Sequence, residues 1–346
     1  MKRRALPLLL SVALGAAWAA GCDDEPANPE GPGGSGGAPS DVTLDPPAEG
    51  QGFQLGSDSF PIASGQEVQN CYFLKVPGEP GGPSLFVNRI HMRQNPGTHH
   101  GNVFRMKTVQ ALGTPADLAA GKVEDGECWN SANWADWPVV INSQESSAGQ
   151  DVDWTLPTGV AHRFDPGEIL VVQTHYVNAT TQAAPGNGKV LINFHTEPEA
   201  DVEHELGTLF TTNQNIRICP GDSGVEFSQT CNFAHGQPVH VVAANGHFHS
   251  RGTEFTISAY DSTTGEAGPQ FYDSTRWDDP PMTTDLDVLI PADGGVSWTC
   301  TYAAAEGTCG NPADSCCFGF SGKVETGEHC NIFVYYWPKI VDAGCF

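Results

Sequence analysis

Residues 327–337 read GEHCNIFVYYW, and the second half of this stretch decides the fold class. Asn331–Trp337 is dense in β-branched and aromatic residues, which suit the pleated, half-buried surface of a strand. Elsewhere in the chain, 40 Gly and 26 Pro accompany short apolar runs bounded by turn residues. This pattern predicts an all-β protein of many short strands joined by loops rather than a helical one.

The first 21 residues have the features of an export signal. Met1–Arg4 is basic, Ala5–Ala20 is apolar, and small residues then precede Cys22. This order predicts a bacterial lipoprotein signal over residues 1–21, with Cys22 as the acylated residue. The alternative is a plain secretion signal in which Cys22 is incidental. The lipoprotein interpretation places the protein at the cell envelope, either in the periplasm or on the cell surface.

Residues 22–50 are rich in Pro, Gly, Ser, Ala and acidic residues and contain almost no large apolar side chains. Such a segment cannot bury enough surface to fold, so we predict a disordered tether between the lipid and the globule. The rest of the chain is long enough for two domains, each with its own core.

Cysteine content and charge agree with export. The chain has 11 cysteines, and setting Cys22 aside leaves an even number, which predicts five disulfides. The formal charge is −25; without residues 1–21 the chain has 13 basic and 41 acidic residues, or −28. Such a field repels nucleic acid and anionic membranes and attracts cations, including metal ions. We therefore expect a monomer with no nucleic-acid partner, which contacts the membrane only through the lipid on Cys22.

Two pairs of histidines stand out among the 12 in the chain. His247 and His249 flank Phe248, and in a strand such residues point to one face, where they can share a metal. The alternative is a solvated strand face. His99 and His100 are adjacent, so they converge only if the backbone bends, and glycines on either side permit this. The alternative is a polar loop.

Two single histidines also occupy notable places. His175 ends a strand-like run, and His329 directly precedes Cys330 at the mouth of the strand quoted above. The remaining histidines stand alone and are expected to be hydrogen-bonded or solvent-facing residues. They are His91, His162, His195, His204, His235 and His240.

Four stretches, in the same order along the chain, resemble motifs of the type II copper, ascorbate-dependent monooxygenases. That family includes peptidylglycine α-hydroxylating monooxygenase and dopamine β-monooxygenase. The motifs are a histidine pair, a Leu-Pro-x-x-Val stretch with a later strand ending in His-Tyr, a His-x-His motif and a closing Cys-Asn strand. In this chain they are His99–Gly101, Leu156–Val160 with Leu170–Tyr176, Gly246–Gly252 and Cys330–Tyr336. The resemblance spans roughly residues 65–346.

The resemblance implies two antiparallel β-sandwich (jelly-roll-like) domains side by side, over residues 51–198 and 199–346. Each would bind one copper ion, and a solvent-filled cleft would separate the two ions. The implied ligands are His99, His100 and His175 for an electron-transfer copper in the first domain, and His247, His249 and His329 for the copper that activates O₂ in the second.

His329 departs from the family pattern, in which methionine precedes the Cys-Asn pair. A thioether is soft and favours Cu(I), whereas imidazole also suits Cu(II), Zn and other divalent ions. The departure predicts tighter Cu(II) binding and a lower reduction potential. Because the catalytic copper must be reduced before it binds O₂, the substitution predicts slow turnover or none. The alternative is that His329 is only a polar residue at a strand edge.

Two of the candidate substrate-binding residues also differ from the family pattern. Asn245 matches the position of an arginine that grips a substrate carboxylate in peptide-amidating relatives, and Phe333 matches a tyrosine. Asn331 keeps the family residue. A buried carboxylate would lack its charge partner here, which argues against a peptidylglycine substrate.

The resemblance also implies two disulfides. Cys300 and Cys330 flank the segment that leads to His329, and Cys71 and Cys128 match a bridge in the N-terminal domain. Cys345 is expected to tie the C-terminus to Cys231 or Cys219. The sequence leaves open the pairing among Cys219, Cys231, Cys309, Cys316 and Cys317.

Together these features predict a copper-dependent monooxygenase that hydroxylates a C–H bond of a small organic substrate. It would use O₂, two copper ions per chain and electrons from ascorbate or another external reductant. One alternative is a non-catalytic copper-binding or copper-delivery lipoprotein on the same scaffold, which His329 favours. Another is a structural or adhesive surface protein, which would make four ordered histidine motifs a coincidence.

Overall fold

The computed structural model describes residues 41–106, 122–123, 138–143, 151–178, 186–278, 280–341, 343 and 345. The predicted signal peptide, most of the predicted tether, Cys22 and Cys128 lie outside the described residues. All described residues belong to one compact unit, Ala38–Phe346. The helical elements among them are two short 3-10 turns, Glu199–Asp201 and Pro312–Asp314.

The protein is all-β, as the sequence predicts. The strands of the N-terminal half are β1 (Gly52–Gly56), β2 (Phe60–Ile62), β3 (Glu67–Lys75), β4 (Leu85–Gln94), β5 (Thr98–Arg105), β6 (Lys122–Val123), β7 (Val139–Ser143), β8 (Asp151–Thr155), β9 (Val160–Phe164), β10 (Ile169–Val177), β11 (Gly186–Gly188), β12 (Val190–Glu197) and β13 (His204–Glu205). Those of the C-terminal half are β14 (Gly207–Thr212), β15 (Arg217–Ile218), β16 (Ser223–Asn232), β17 (Val239–His247), β18 (Gly252–Asp261), β19 (Glu266–Ser274), β20 (Val288–Ile290), β21 (Gly295–Ala303), β22 (Phe318–Gly319) and β23 (Asn331–Trp337).

Each half has two main sheets around a hydrophobic core. In the N-terminal half the strand orders are β1-β12-β4-β9-β13, with β8 also beside β4, and β6-β3-β10-β5-β7. In the C-terminal half they are β14-β23-β17-β20 and β16-β21-β18-β19. Within these sheets the described pairings are antiparallel, apart from the short parallel contact of β13 with β9. These are the antiparallel β-sandwiches that the fold prediction specified.

The strand β23 is buried on both faces. Its side chains alternate, as the period of two in a strand requires. Ile332, Val334 and Tyr336 enter the C-terminal core, whereas Phe333 and Tyr335 enter the core of the N-terminal half. Burial of each such large apolar side chain stabilises the fold by about 1.5–3 kcal/mol. The two sandwiches therefore share packing, and the boundary between residues 198 and 199 stays a prediction.

The end of the predicted tether is held against the first sandwich. Residues 41–50 form no strand, but their backbone groups bond to side chains of β1, β4 and β12. Asn193 Nδ2 donates to the Asp45 carbonyl at 2.7 Å, and Arg93 Nη1 donates to the Thr43 carbonyl at 2.8 Å. The prediction of disorder up to residue 50 is wrong for this segment, because polar side chains supply the contacts that apolar ones lack.

Disulfides cross-link the C-terminal half. The Cys300–Cys330 bond confirms the sequence-based expectation, and Cys345 pairs with Cys231. The pairs that the sequence left open are Cys219–Cys317 and Cys309–Cys316. Cys71 is also disulfide-bonded, and Cys128, its expected partner, lies outside the described residues. The four pairs among the described residues, with Cys71 bonded as well, indicate an exported protein. Within the described part of the chain, we find no helix with the length and apolarity needed to span a membrane.

Candidate metal centre

The N-terminal histidines meet across the pairing of β5 with β10. His100 lies directly opposite His175, but the next pair along the ladder is Thr98 with Tyr176, so His99 is the extra residue of a β-bulge. A bulge re-aims the side chains beside it. The bulge supplies the bend that adjacent histidines need, and the ring centroids of His99 and His175 are 4.9 Å apart. Those of His100 and His175 are 4.8 Å apart.

The C-terminal histidines meet where β17 ends and β23 begins. His247 is the last residue of β17 and pairs with Asn331, the first residue of β23. His249 follows in the turn, and His329 lies two residues before β23. The ring centroids of His247 and His249 are 5.3 Å apart, and those of His249 and His329 are 4.4 Å apart.

The two sets of histidines are in contact. The ring centroid of His247 is 5.1 Å from that of His99 and 5.3 Å from that of His100, and His99 and His249 are 5.8 Å apart. The solvent-filled cleft that the resemblance implied between the two sets is therefore absent between these rings. The cause is the packing of β23 into the core of the N-terminal half, described above, which brings its neighbour β17 against that half.

Two groups of ligand atoms result, each with its atoms within 4.8 Å of one another: His99, His100 and His247, and His247, His249 and His329. The first group differs from the implied set, because His247 stands in it and His175 does not. His175 lies beside the group, and its Nε2 is 2.9 Å from Glu67 Oε1. A carboxylate on the outer nitrogen of an imidazole is a common support of a metal-binding histidine, so His175 keeps a role at the centre.

Burial keeps these imidazoles neutral. It lowers the pKa of His99 to about 4 and that of His329 to about 3. For the rest of the cluster, burial lowers the pKa well below the usual value of 6.5; these residues are His100, His175, His247 and His249. A neutral imidazole offers a lone pair to a metal at neutral pH.

Several ring nitrogens of the cluster are buried without a hydrogen-bond partner. They are His99 Nε2, His100 Nδ1, His247 Nδ1, His247 Nε2, His249 Nε2 and His329 Nδ1. An unpartnered buried polar atom costs free energy, and such a concentration in one place is the condition that a bound metal ion relieves. The residues present fit a metal ion with nitrogen ligands.

Glu328 and Arg251 support the C-terminal group, and the sequence analysis missed both. The fully buried Glu328 carboxylate accepts the backbone N–H of His249 at 2.9 Å and that of Arg251 at 3.0 Å. Arg251 Nη1 donates to the same carboxylate at 2.9 Å. Burial raises the pKa of Glu328, and Arg251 opposes this shift. The signal was present, because each residue lies within two positions of a candidate ligand.

Further hydrogen bonds fix the tautomer of His249 and the backbone of His329 and Cys330. His249 Nδ1 is 3.0 Å from the Gly327 carbonyl, so this nitrogen carries the proton and Nε2 presents its lone pair. The Tyr302 hydroxyl donates to the His329 carbonyl, and Trp298 Nε1 donates to the Cys330 carbonyl at 3.2 Å. The Cys300–Cys330 bond then ties β21 to the start of β23.

The candidate substrate-binding residues are buried. Phe333 stacks on Phe210 with ring centroids 4.9 Å apart, and Asn331 pairs with His247 in the sheet. Asn245 donates to Asn142 across the boundary between the halves. Their role in binding a substrate stays a prediction.

Asn245 belongs to a chain of buried amides. Asn142 Nδ2 donates to Asn102 Oδ1 at 2.7 Å, and Asn102 Nδ2 donates to Gln173 Oε1 at 2.8 Å. The Gln173 side chain also acts on the His100 imidazole, whose pKa it raises against the larger effect of burial. The chain runs beside the cluster and joins β17 of one half to β7, β5 and β10 of the other.

Aromatic residues line the exposed edge of the cluster. Phe320, which is 39% exposed, lies 5.1 Å from His329 between ring centroids. Trp277 lies 6.3 Å from His99 and is partly exposed. The histidines that stand singly in the sequence have other contacts: His91 lies by Asp151, and His204 and His240 stack on Trp337.

No family model matches the chain, and no curated protein matches it. Solved structures with a partial likeness include the infectious bursal disease virus Gx strain, at 10% identity over 88% of this chain and 81% of that chain, with a TM-score of 0.20. The PBSX exported protein XepA has 5% identity over 82% of this chain and 86% of that chain, also with a TM-score of 0.20. A putative secreted protein from Parabacteroides distasonis has 8% identity over 86% of this chain and 92% of that chain, with a TM-score of 0.19. Likenesses this low carry no argument about function.

Proposed function

We propose that this protein is an exported copper-dependent monooxygenase that hydroxylates a C–H bond of a small organic substrate with O₂ and an external reductant. The observation that carries the proposal is the buried cluster of neutral histidines with unpartnered ring nitrogens. Imidazole suits several metals, and among divalent first-row ions Cu(II) binds nitrogen sites most tightly. The motif resemblance adds the oxygenase chemistry.

The residues of the chain have distinct roles in this proposal. The two ligand groups, joined by His247, would hold copper, and copper would supply one-electron chemistry and the activation of O₂. Glu67 orients His175, and the Gly327 carbonyl orients His249, each by its bond to the outer ring nitrogen. Five of the six candidate ligands are buried, which limits water around them and strengthens electrostatic interactions inside the site; His329 is half-buried.

Attachment to the envelope is part of the same proposal. Acylation of Cys22 would hold the globule at a membrane surface, while the disulfides stabilise it in an oxidising compartment.

A copper-binding or copper-delivery protein is the second candidate. His329 favours it, because a centre of imidazoles alone lacks the thioether that stabilises Cu(I). The two candidates share a metal and differ in turnover.

The test is O₂ consumption by the copper-loaded protein with ascorbate, in the presence of small amines, phenols and hydrocarbons. The monooxygenase proposal expects O₂ uptake that depends on the substrate and produces an alcohol. His249→Ala should abolish it, whereas His235→Gln, a change at an exposed histidine, should leave it intact. Tight copper binding without substrate-dependent uptake would select copper delivery, and failure to bind copper would reject both candidates.

A further inference from the structure

We infer that His247 bridges two copper ions through its two ring nitrogens, so that the centre is one binuclear site. The inference rests on the proposed function for the identity of the metal. The observation behind it is that His247 alone is common to both ligand groups of the described residues.

The hydrogen bonds of the imidazoles favour a bridge at His247. His249 has one ring nitrogen next to a protein oxygen, which leaves the other for a metal. Among the described residues, His247 is the one histidine with both ring nitrogens buried and unpartnered. A terminal ligand would use one of these nitrogens and leave the other buried without a partner, which is unfavourable. A bridging ligand uses both.

The position of the His247 ring also favours a bridge. The His247 ring centroid lies 5.1 and 5.3 Å from those of His99 and His100, and 5.3 and 5.2 Å from those of His249 and His329. Its ring is therefore equally near both pairs. The His247 backbone is held at the end of β17 by its pairing with Asn331. The ring therefore lies between the pair His99 and His100 and the pair His249 and His329 without any movement of β17.

The chemistry of the bridge has a measurable consequence. A neutral imidazole carries one lone pair and one N–H; the second ion displaces that proton, which passes to solvent, and the anionic ring then binds both ions. Two Cu(II) ions joined by one ring have coupled unpaired electrons. The rival arrangement is a single ion that moves between the two groups, and it has no such coupling.

The experiment compares total copper with Cu(II) detected by electron paramagnetic resonance in the full chain. We expect two coppers per chain and loss of most of the Cu(II) signal, with recovery of the signal when one ion is replaced by Zn(II). His247→Gln should restore the signal of whatever copper remains. His240→Gln, on the same strand and stacked on Trp337 away from the ligand groups, should leave the loss unchanged.

Two results would overturn the bridge. One is a wild-type signal that accounts for all of two bound coppers, and the other is saturation at one copper per chain. Either can occur together with substrate-dependent O₂ uptake, in which case the proposed function stands and only the bridge falls. A chain that binds no copper would reject the proposed function itself.

Discussion

At the scale of single residues, His329 is the candidate ligand whose chemistry departs most from the family that the chain resembles. Its ring lies 4.4 Å from that of His249, and its Nδ1 is buried without a partner. We expect His329→Met to weaken Cu(II) binding and to raise the reduction potential of the copper it touches, because a thioether favours Cu(I).

X-ray absorption of the reduced protein gives the direct measurement. A copper–sulfur contact should appear in His329→Met and be missing in wild type and in the exposed-site control His235→Met. If the copper spectrum of His329→Met matched that of wild type, His329 would be a polar residue at the strand edge.

Glu328 is a positioning residue for His249. Its carboxylate accepts two backbone N–H groups and one guanidinium N–H. In Glu328→Gln an amide NH₂ replaces one accepting oxygen and faces those donors. Loss of such a support lowers metal affinity by about 10–100-fold, and we expect a copper competition titration to show this. Glu325→Gln, at an exposed residue nearby, is the matched control, and equal affinities for the two variants would contradict the assignment.

At the scale of elements, the amide chain from β17 to β10 is the device that joins the two sets of histidines. We expect Asn142→Ala to lower the free energy of unfolding by roughly 1–3 kcal/mol, because it leaves the partners Asn102 and Asn245 unsatisfied in the interior. Urea unfolding measures this loss.

The same variant should also change the Cu(II) spectrum, since Asn245 lies two residues before His247 and Gln173 lies two before His175, and both histidines are candidate ligands. Asn215→Ala, at an exposed asparagine, controls for the loss of any amide. A destabilised variant with an unaltered spectrum would mean that the chain holds the halves together without placing the histidines.

The packing of β23 shows which part of the fold the sequence could not predict. The composition of Asn331–Trp337 predicts a strand, and the motif resemblance predicts which histidines gather at its mouth. Neither predicts that both faces of β23 are buried, since an apolar run has the same sequence whether one core or two receive it. The contact between His99 and His247 depends on that packing, so the sequence could not show it. Spacing also cannot fix disulfide pairing, which is why the partner of Cys345 stayed open.

At the scale of the whole molecule, the buried histidines predict a pH dependence of stability for the metal-free protein. Their pKa in the folded state lies below the usual 6.5, at about 4 for His99. Between about pH 6.5 and about pH 4 the unfolded chain therefore binds more protons, and the free energy of unfolding falls as the pH falls. Burial raises the pKa of Glu67 and Glu328, which acts in the opposite direction, but the histidines outnumber them.

Urea unfolding of the metal-free protein across this window measures the effect. His249→Gln should make the dependence shallower, and His235→Gln should not. Equal slopes for wild type and His249→Gln would show that His249 is not held neutral by burial.

Anchoring is the other property of the whole chain that can be tested. Cys22→Ser should abolish lipid labelling and release the globule from the membrane fraction, because the acyl group is the proposed attachment. The copper content of the released globule should equal that of wild type, since the ligands lie far along the chain. A mature N-terminus at another residue, without an acyl group, would overturn the lipoprotein prediction.

The strand pairing does not depend on the bulge at His99, whereas the first ligand group does. Thr98 already pairs with Tyr176, and His100 with His175, so deletion of His99 would close the ladder into regular pairing without moving either register. Deletions within strands usually turn every later side chain to the wrong face, but this one would shift none. A single codon thus decides whether the first ligand group has three imidazoles or only those of His100 and His247, whereas the group of His247, His249 and His329 does not depend on it. Gain and loss of the first ligand group would then follow from one insertion or deletion, with no rebuilding of the scaffold.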